Sequence, residues 1–538
     1  MKGGIAFLWK GITENRKGLC GLLLMGMADI GLTLVIIGIT KRLIDVASGG
    51  LPGILWQQLL LLLLCMVGSV LLRGLSSRAA IWQQNNLRNQ LMSYFFSVLL
   101  YAEWLSMKKI HSGDIMSRMG QDVDGVTNLL VVSIPAFILT FLKLSGAFIY
   151  LYIMDAKLAL VLAVLVPAVL LLSKLYFKRM RFFSRLLKEQ WSGIHQLFQE
   201  AVENQEIVKA LGAESIYEKK LFGLQGKYMQ MVRRQNHFSF YSNTGVMLGF
   251  SIGYLLTFSW GLYRLENGTL TFGSLMAFLQ LVNMIQGPSL GLAQLVPGLI
   301  SSYTAVERLN ELHDLQPEPP ECHCLFKGVN AIEFRNVSFR YQPEISLLEG
   351  LNWKFERGKI YALTGKTGCG KTTVVRLLLG FVRPDKGEIW IKGDLNSSRI
   401  KMGTRINFAY VPQDCSLFSG SIRNNLKMGK PQATEQEMIT ALRQAAADFV
   451  FDLPNGLDMW ISERGGGLSG GQVQRLVIAR ALLALGNILL LDEFTSALDE
   501  DTEYEIITSL KRNVKDKLII IVSHKQKVIE ACDCVYRL

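Results

Sequence analysis

Six apolar stretches, near residues 18–40, 54–75, 130–152, 156–177, 244–263 and 271–296, decide what this chain can fold into. About 20 apolar residues wound as a helix cross the roughly 30 Å hydrocarbon core of a bilayer. In that core each backbone N–H and C=O needs a partner inside the segment, so stretches of this length take the helical form. Runs such as Leu59–Leu64 hold no polar residue at all. A tight turn near Asp155 separates the third stretch from the fourth, and Gly287-Pro288 interrupts the sixth.

The connections between these stretches are uneven. Those near 41–53, 153–156 and 264–270 are short, whereas 76–129 and 178–243 are long, polar and basic. Lys174, Lys178, Arg179, Arg181, Arg185 and Lys188 cluster at and just beyond the fourth stretch. The positive-inside rule places this cluster and the N-terminus in the cytoplasm. An even number of spans puts the C-terminal half on the same side. The long connections keep apolar residues at three- and four-residue spacing (Ile194, Leu197, Phe198, Ala201, Val202), so they read as spans continuing as helices beyond the bilayer.

The chain has 538 residues, half of them hydrophobic and 19% charged, with mean hydropathy +0.27. That is a membrane protein with a soluble portion. Of the formal charge of +13, most lies in the apolar half, where 28 Lys/Arg oppose 19 Asp/Glu up to Pro320. Cytoplasmic flanks of membrane spans account for this excess, and it implies neither nucleic acid nor an anionic cargo. No secretory signal is evident, because the apolar run after Lys17 is too long for one. Cys322-x-Cys324 and Cys532-x-Cys534 lack zinc-site spacing, so the eight cysteines read as reduced thiols. Asp29 and Lys143 fall mid-span at similar depth and are expected to pair or to line a substrate path.

Gln316-Pro-Glu-Pro-Pro-Glu321 reads as a linker. The expected organisation is a membrane domain over 1–315, a linker over 316–330 and a soluble α/β domain over 331–538. Within the last, Ala331–Tyr341 alternates like a strand, and Ile360–Leu363, Ile488–Leu491 and Leu518–Val522 read as buried parallel strands.

Residues 365–372 form a complete G-x-x-x-x-G-K-[ST] phosphate loop, set between a strand and a helix as the motif requires. Gly365, Gly368 and Gly370 let backbone N–H groups approach phosphate oxygens without Cβ clashes. Lys366, Thr367, Cys369 and Thr373 complete the loop and its helix start. Lys371 reaches the β- and γ-phosphates of ATP, and the Thr372 hydroxyl ligates Mg²⁺. The helix that follows adds the positive end of its dipole. Ile488-Leu-Leu-Leu-Asp492-Glu493 is the companion acidic strand: Asp492 serves Mg²⁺ and Glu493 polarises the attacking water. Cys369 inside the loop implies that thiol alkylation blocks ATP binding.

The pentapeptide Leu468-Ser-Gly-Gly-Gln472 separates one phosphate-loop class from the rest, and over about 331–538 the chain resembles the nucleotide-binding domain of ATP-binding-cassette transporters. The resemblance implies that Tyr341 stacks on adenine. It implies that Gln413, in Val411-Pro-Gln-Asp414, senses Mg²⁺ and faces the membrane domain. Ser469, Gly470, Gly471 and Gln472 then hold the γ-phosphate of ATP bound to another subunit. Ser496-Ala-Leu-Asp499 crosses the dimer and His524 contacts the γ-phosphate. Ser462-Glu-Arg-Gly465 looks like an exporter-specific segment, with Ser462 in place of the usual glycine. In the membrane half, Gly113-Asp-Ile-Met-Ser-Arg118 with Asp122 looks like the first coupling-helix region, and Glu203–Glu214 like the second loop.

The implied protein is an exporter-type half-transporter in a membrane, with a bacterial plasma membrane as the expected location. It works as a homodimer or with a second half-transporter, and its cargo is hydrophobic or amphipathic: a drug, lipid or peptide. The alternatives are a siderophore importer on the same fold and an ATP-gated membrane regulator. A soluble DNA-maintenance ATPase is excluded by the spans. Two departures from the family pattern are expected: a shortened end after His524, and no peptidase domain before the first span.

Overall fold

A computed structural model describes residues 2–538 apart from 50–51, 320–322, 343–344, 415, 463–464, 495–497 and 514–515. For 2–12, 14, 165–178, 181, 289–297, 300, 500 and 513 it describes backbone only. The chain divides into two compact units, one of residues 1–98 with 111–314 and the other of residues 99–110 with 315–538.

The first unit is helical throughout, with long helices at Lys2–Ala47, Leu55–Tyr101, Ile134–Met154, Ala156–Glu203, Glu214–Glu266 and Phe272–His313. Among the described residues, Asn15–Ala47, Leu55–Tyr101, Ser112–Met154 and Glu214–Glu266 are long and apolar enough to cross a membrane. The expected fourth and sixth spans fall partly on residues whose side chains lie outside the description. Helices Ala156–Glu203 and Glu214–Glu266 continue well past their apolar portions, as the spacing of the basic connections predicts. A core of this unit gathers Ile37, Leu151, Leu162, Phe278, Leu281 and Ile285 from helices Lys2–Ala47, Ile134–Met154, Ala156–Glu203 and Phe272–His313. The span of Leu55–Tyr101 leaves Trp56, Leu60, Leu64 and Val70 exposed, as suits a helix facing lipid tails.

The expected Asp29–Lys143 pair does not form. Asp29 instead accepts from Ser69 Oγ at 2.5 Å and from Arg73 Nε at 3.0 Å to both of its oxygens. Ser69 and Arg73 stand one turn apart on the neighbouring helix, so both donors reach one carboxylate. Gly113–Arg118 is held by ion pairs. Arg118 bonds Asp114 at 2.8 Å and Glu311 at 2.7 Å, and Arg308 bonds Asp114 at 2.6 Å. These ion pairs tie that segment to the end of helix Phe272–His313.

The second unit is built on a five-stranded parallel sheet in the order Cys534–Arg537, Ile360–Thr364, Leu518–Val522, Ile488–Asp492, Phe408–Val411. The three inner strands are wholly buried, which their unbroken Ile/Leu/Val character requires. Beside it lies an antiparallel sheet centred on Val329–Phe339. The alternation read at 331–341 is thus shifted two residues earlier. Gly387 joins this sheet with φ 76°, and a Cβ there would lie 2.2 Å from the Asn336 carbonyl oxygen.

Candidate functional site

Strand register brings the site together. Asp492 pairs across from Val522, and Leu491 from Val411, while Leu363 lies opposite Val522. The residues after these strand ends therefore share one rim: Gly365, Gln413, Glu493 and His524. The carboxyl ends of parallel strands are where α/β sheets bind ligands, because the loops diverge there.

The phosphate loop leaves buried strand Ile360–Thr364 and enters helix Lys371–Leu378. Gly365, Gly368 and Gly370 have φ of 150°, 84° and 106°, a region that side chains with a Cβ rarely enter. At Gly365 a Cβ would also meet Cys369 Sγ at 2.7 Å. Lys371 is buried, and its Nζ donates to the carbonyls of Gly365 and Lys366 at 3.0 and 3.1 Å. Lys366, Thr367 and Gly368 are exposed, Cys369 and Thr372 half-buried, and Thr373 buried.

Asp492 is 1% exposed, and its Oδ2 has no hydrogen-bond partner. Burial, with the Glu493 charge beside it, pushes its carboxyl up to about 6, against the opposing pull of Arg376 and Lys371. A desolvated carboxylate with an open oxygen, within electrostatic reach of the phosphate-loop lysine, fits a hard cation. Glu493 sits at φ 47°. Its N–H donates to Val522 O at 3.0 Å, which fixes it at the sheet rim. Gln413 Nε2 donates to Glu493 Oε2 at 2.6 Å, and His524 Nε2 lies 3.5 Å from Glu493 Oε1.

The signature residues stand apart from this group. Ser469 caps helix Gly470–Leu483 in a capping box: its Oγ accepts from Gln472 N at 3.3 Å, and Gln472 Oε1 accepts from Ser469 N at 2.9 Å. That helix packs chiefly on Glu435–Gln444, Ile422–Lys427 and strand Phe408–Val411. Ser469 and Gly470 are exposed, which leaves the helix start open to another molecule. Ser496 and Ala497 of the expected dimer-crossing loop, and Glu463-Arg464, lie outside the described residues. Asp499 caps the next helix, bonding Thr502 N at 3.0 Å and Thr502 Oγ1 at 2.9 Å.

Two groups of residues went unnoticed in the sequence. Lys525 Nζ bonds the buried Glu503 at 2.7 Å, joining the segment after His524 to the helix after Asp499. Trp104, in the short helix Trp104–Met107, packs on the nucleotide-domain core with Phe381. A tryptophan ahead of Lys108-Lys109, outside any span, was the available signal. The linker is also more ordered than its prolines suggest. Glu103 N donates to Gln316 O at 2.9 Å and Glu318 N to Tyr101 O at 2.7 Å, pairing 316–318 with 101–103.

Comparison with known proteins agrees with this geometry. A family model described as ABC transporter transmembrane region matches residues 19–289, and one described as ABC transporter matches 348–496. The chain is 30% identical over 522 residues to a serine protease/ABC transporter B family protein of Dictyostelium discoideum, covering 95% of this chain but only 30% of that protein. It is 29% identical to an ATP-dependent lipid A-core flippase of Dechloromonas aromatica, over 85% of this chain and 79% of that one. Its fold matches the solved structure of a bacterial Atm1-family ABC exporter with ATP bound, with TM-score 0.81 and 24% identity over 97% of this chain and 94% of that one. The chain belongs to the ABC transporter family, with the half-transporter arrangement of an N-terminal transmembrane domain followed by a nucleotide-binding domain.

Proposed function

We propose that this chain is an ATP-hydrolysing exporter subunit that dimerises and moves a hydrophobic or amphipathic molecule out of the cytoplasm by alternating access. The observation that carries this reading is the convergence of Lys371, Asp492, Glu493, Gln413 and His524 on one sheet rim, fused to apolar helices long enough to cross a bilayer. The exporter and flippase relatives support outward movement of cargo. A bacterial plasma membrane is the proposed location, with the nucleotide-binding domain in the cytoplasm.

Tyr341 would stack on adenine, while the backbone N–H groups of Gly365–Thr373 and the Lys371 ammonium would hold the phosphates. Thr372, Asp492 and Gln413 would hold Mg²⁺, which supplies charge neutralisation on the phosphates when bound. Glu493 would polarise the attacking water and draw its proton, held in place by Gln413 and its own rigid backbone. His524, beside Glu493, would contact the γ-phosphate. The Ser469–Gln472 helix start, with Ser469 and Gly470 exposed, would complete the site on a partner chain rather than its own. Two such composite sites would form per dimer, and clamping them on ATP would favour the outward-open state.

The test is Mg-ATP-dependent flux in vesicles holding this chain alone, with an amphipathic dye as cargo. ATP-driven outward flux supports the proposal. Inward flux favours an importer, and ATP turnover without any vectorial flux favours a regulator.

A further inference from the structure

The tyrosine expected to face adenine is bonded to an arginine that no phosphate-loop motif specifies. Arg376 lies one turn beyond Thr372 on helix Lys371–Leu378. Its Nη1 donates to the Tyr341 hydroxyl at 2.8 Å, and the Thr373 hydroxyl donates to the same oxygen at 3.4 Å. Tyr341 is held from its other side by Phe339, edge-on at 4.8 Å between ring centroids.

The Arg376 guanidinium carbon also lies 4.7 Å from the centroid of the Trp104 ring. Trp104 belongs to residues 99–110, which connect two helices of the apolar unit in sequence but pack with the nucleotide-binding domain. Its indole stacks on Phe381 at 5.8 Å, and Lys108 Nζ lies 5.2 Å from the same ring. Arg405 covers Phe381 at 4.4 Å and bonds Glu318 through both terminal nitrogens, at 3.3 and 3.1 Å. One run of contacts therefore passes from Tyr341 through Arg376 and Trp104 to Phe381, Arg405 and Glu318. It reaches both segments that lead into this domain from the apolar half, 99–110 and 315–319.

We propose that Arg376 is a positioning residue that links occupancy of the Tyr341 platform to the docking of the Trp104–Met107 helix, so that bound ATP tightens residues 99–110 against the nucleotide-binding domain. The inference rests on the ATP reading of the site. Adenine stacked on Tyr341 fixes the ring and thereby its hydroxyl. The bonded guanidinium then loses freedom, and its planar fork can serve the phenol oxygen and the indole face together. An ammonium lacks that geometry.

The test is amide hydrogen exchange across residues 99–110 in the full chain in lipid nanodiscs, with and without Mg²⁺ and a non-hydrolysable ATP analogue. Binding of a fluorescent ATP analogue is measured in parallel. In the wild type, nucleotide should slow exchange of 99–110 by about fivefold or more, the low end of coupling between distinct sites. Tyr341→Phe keeps the stacking ring and removes only the acceptor oxygen. Arg376→Gln removes the cation. At nucleotide concentrations that saturate each variant in the parallel binding measurement, both should lose the slowing. Loss in Arg376→Gln with full retention in Tyr341→Phe would leave Arg376 a merely structural prop and overturn the link. Retention in both, or no slowing in the wild type despite bound nucleotide, would overturn it outright. Absence of nucleotide binding by the wild type would instead overturn the ATP reading, and this inference with it.

Discussion

Gln413 Nε2 donates to Glu493 Oε2 at 2.6 Å, across the two strand ends at the sheet rim. The bond orients a carboxylate whose backbone is already held in the left-handed region at φ 47°. Replacing Gln413 by Ala should release the carboxylate without emptying the nucleotide pocket. Turnover should fall by about 10-fold or more while affinity for ATP without Mg²⁺ changes little, since orientation acts on the chemical step. Steady-state ATPase rates beside equilibrium binding separate the two effects.

Metal affinity should depend on pH through Asp492. Its carboxyl is raised to about 6, first by burial and then by the neighbouring Glu493 charge. A raised value means the proton is held below about pH 6, and the protonated form is a poor ligand for Mg²⁺. The Mg²⁺-dependent gain in nucleotide affinity should therefore shrink as pH falls through that value and be full at pH 8. In Asp492→Asn the gain should be small at every pH. Titration of a fluorescent nucleotide with and without Mg²⁺ reads this directly.

Modification of Cys369 should block nucleotide binding. Its sulfur lies 2.7 Å from where a Gly365 Cβ would stand, so an alkyl group there forces the loop apart. N-ethylmaleimide should abolish binding, Cys369→Ala should resist it, and ATP present beforehand should protect. Mass spectrometry identifies the thiol modified.

The phosphate loop and buried strands were legible because their chemistry and their period lie in contiguous residues. Asp492 and Glu493 could be placed by one unbroken apolar strand. Contacts between distant segments were not legible. Asp29 had Lys143 as a candidate partner by depth alone, yet packing offered it Ser69 and Arg73 from one face of the next helix. Trp104 gave no periodic signal, because a four-residue helix has none. The linker's prolines hid the backbone pairing that Gln316 and Glu318 still make on either side of Pro317.

The Asp29–Arg73 pair should matter more than Lys143. Arg73→Met leaves Asp29 with only Ser69 as donor in an apolar setting, where an unpaired charge is costly. Thermal unfolding in detergent should occur at lower temperature for Arg73→Met and for Asp29→Asn than for Lys143→Met. The Asp29→Asn/Arg73→Met double variant should recover part of the loss, because both charges are then gone.

Gly387→Ala should destabilise the antiparallel sheet. At φ 76° its Cβ would come within 2.2 Å of the Asn336 carbonyl oxygen and 2.3 Å of that of Arg335, all backbone atoms that cannot turn aside. A cost of about 1–3 kcal/mol is expected, as for other strained backbone substitutions. Differential scanning fluorimetry of the full chain should show the fall, and Gly368→Ala, at φ 84° but with no heavy atom within 4 Å of its added Cβ, should show a smaller one, since it carries the backbone strain without the clash.

Mg-ATP hydrolysis by the purified chain in lipid, compared with Glu493→Gln, tests the central claim most directly. The expected result is turnover by the wild type and a loss of about 100-fold or more in the variant, with nucleotide binding retained, as removal of a general base predicts. Equal turnover by wild type and Glu493→Gln would contradict the account.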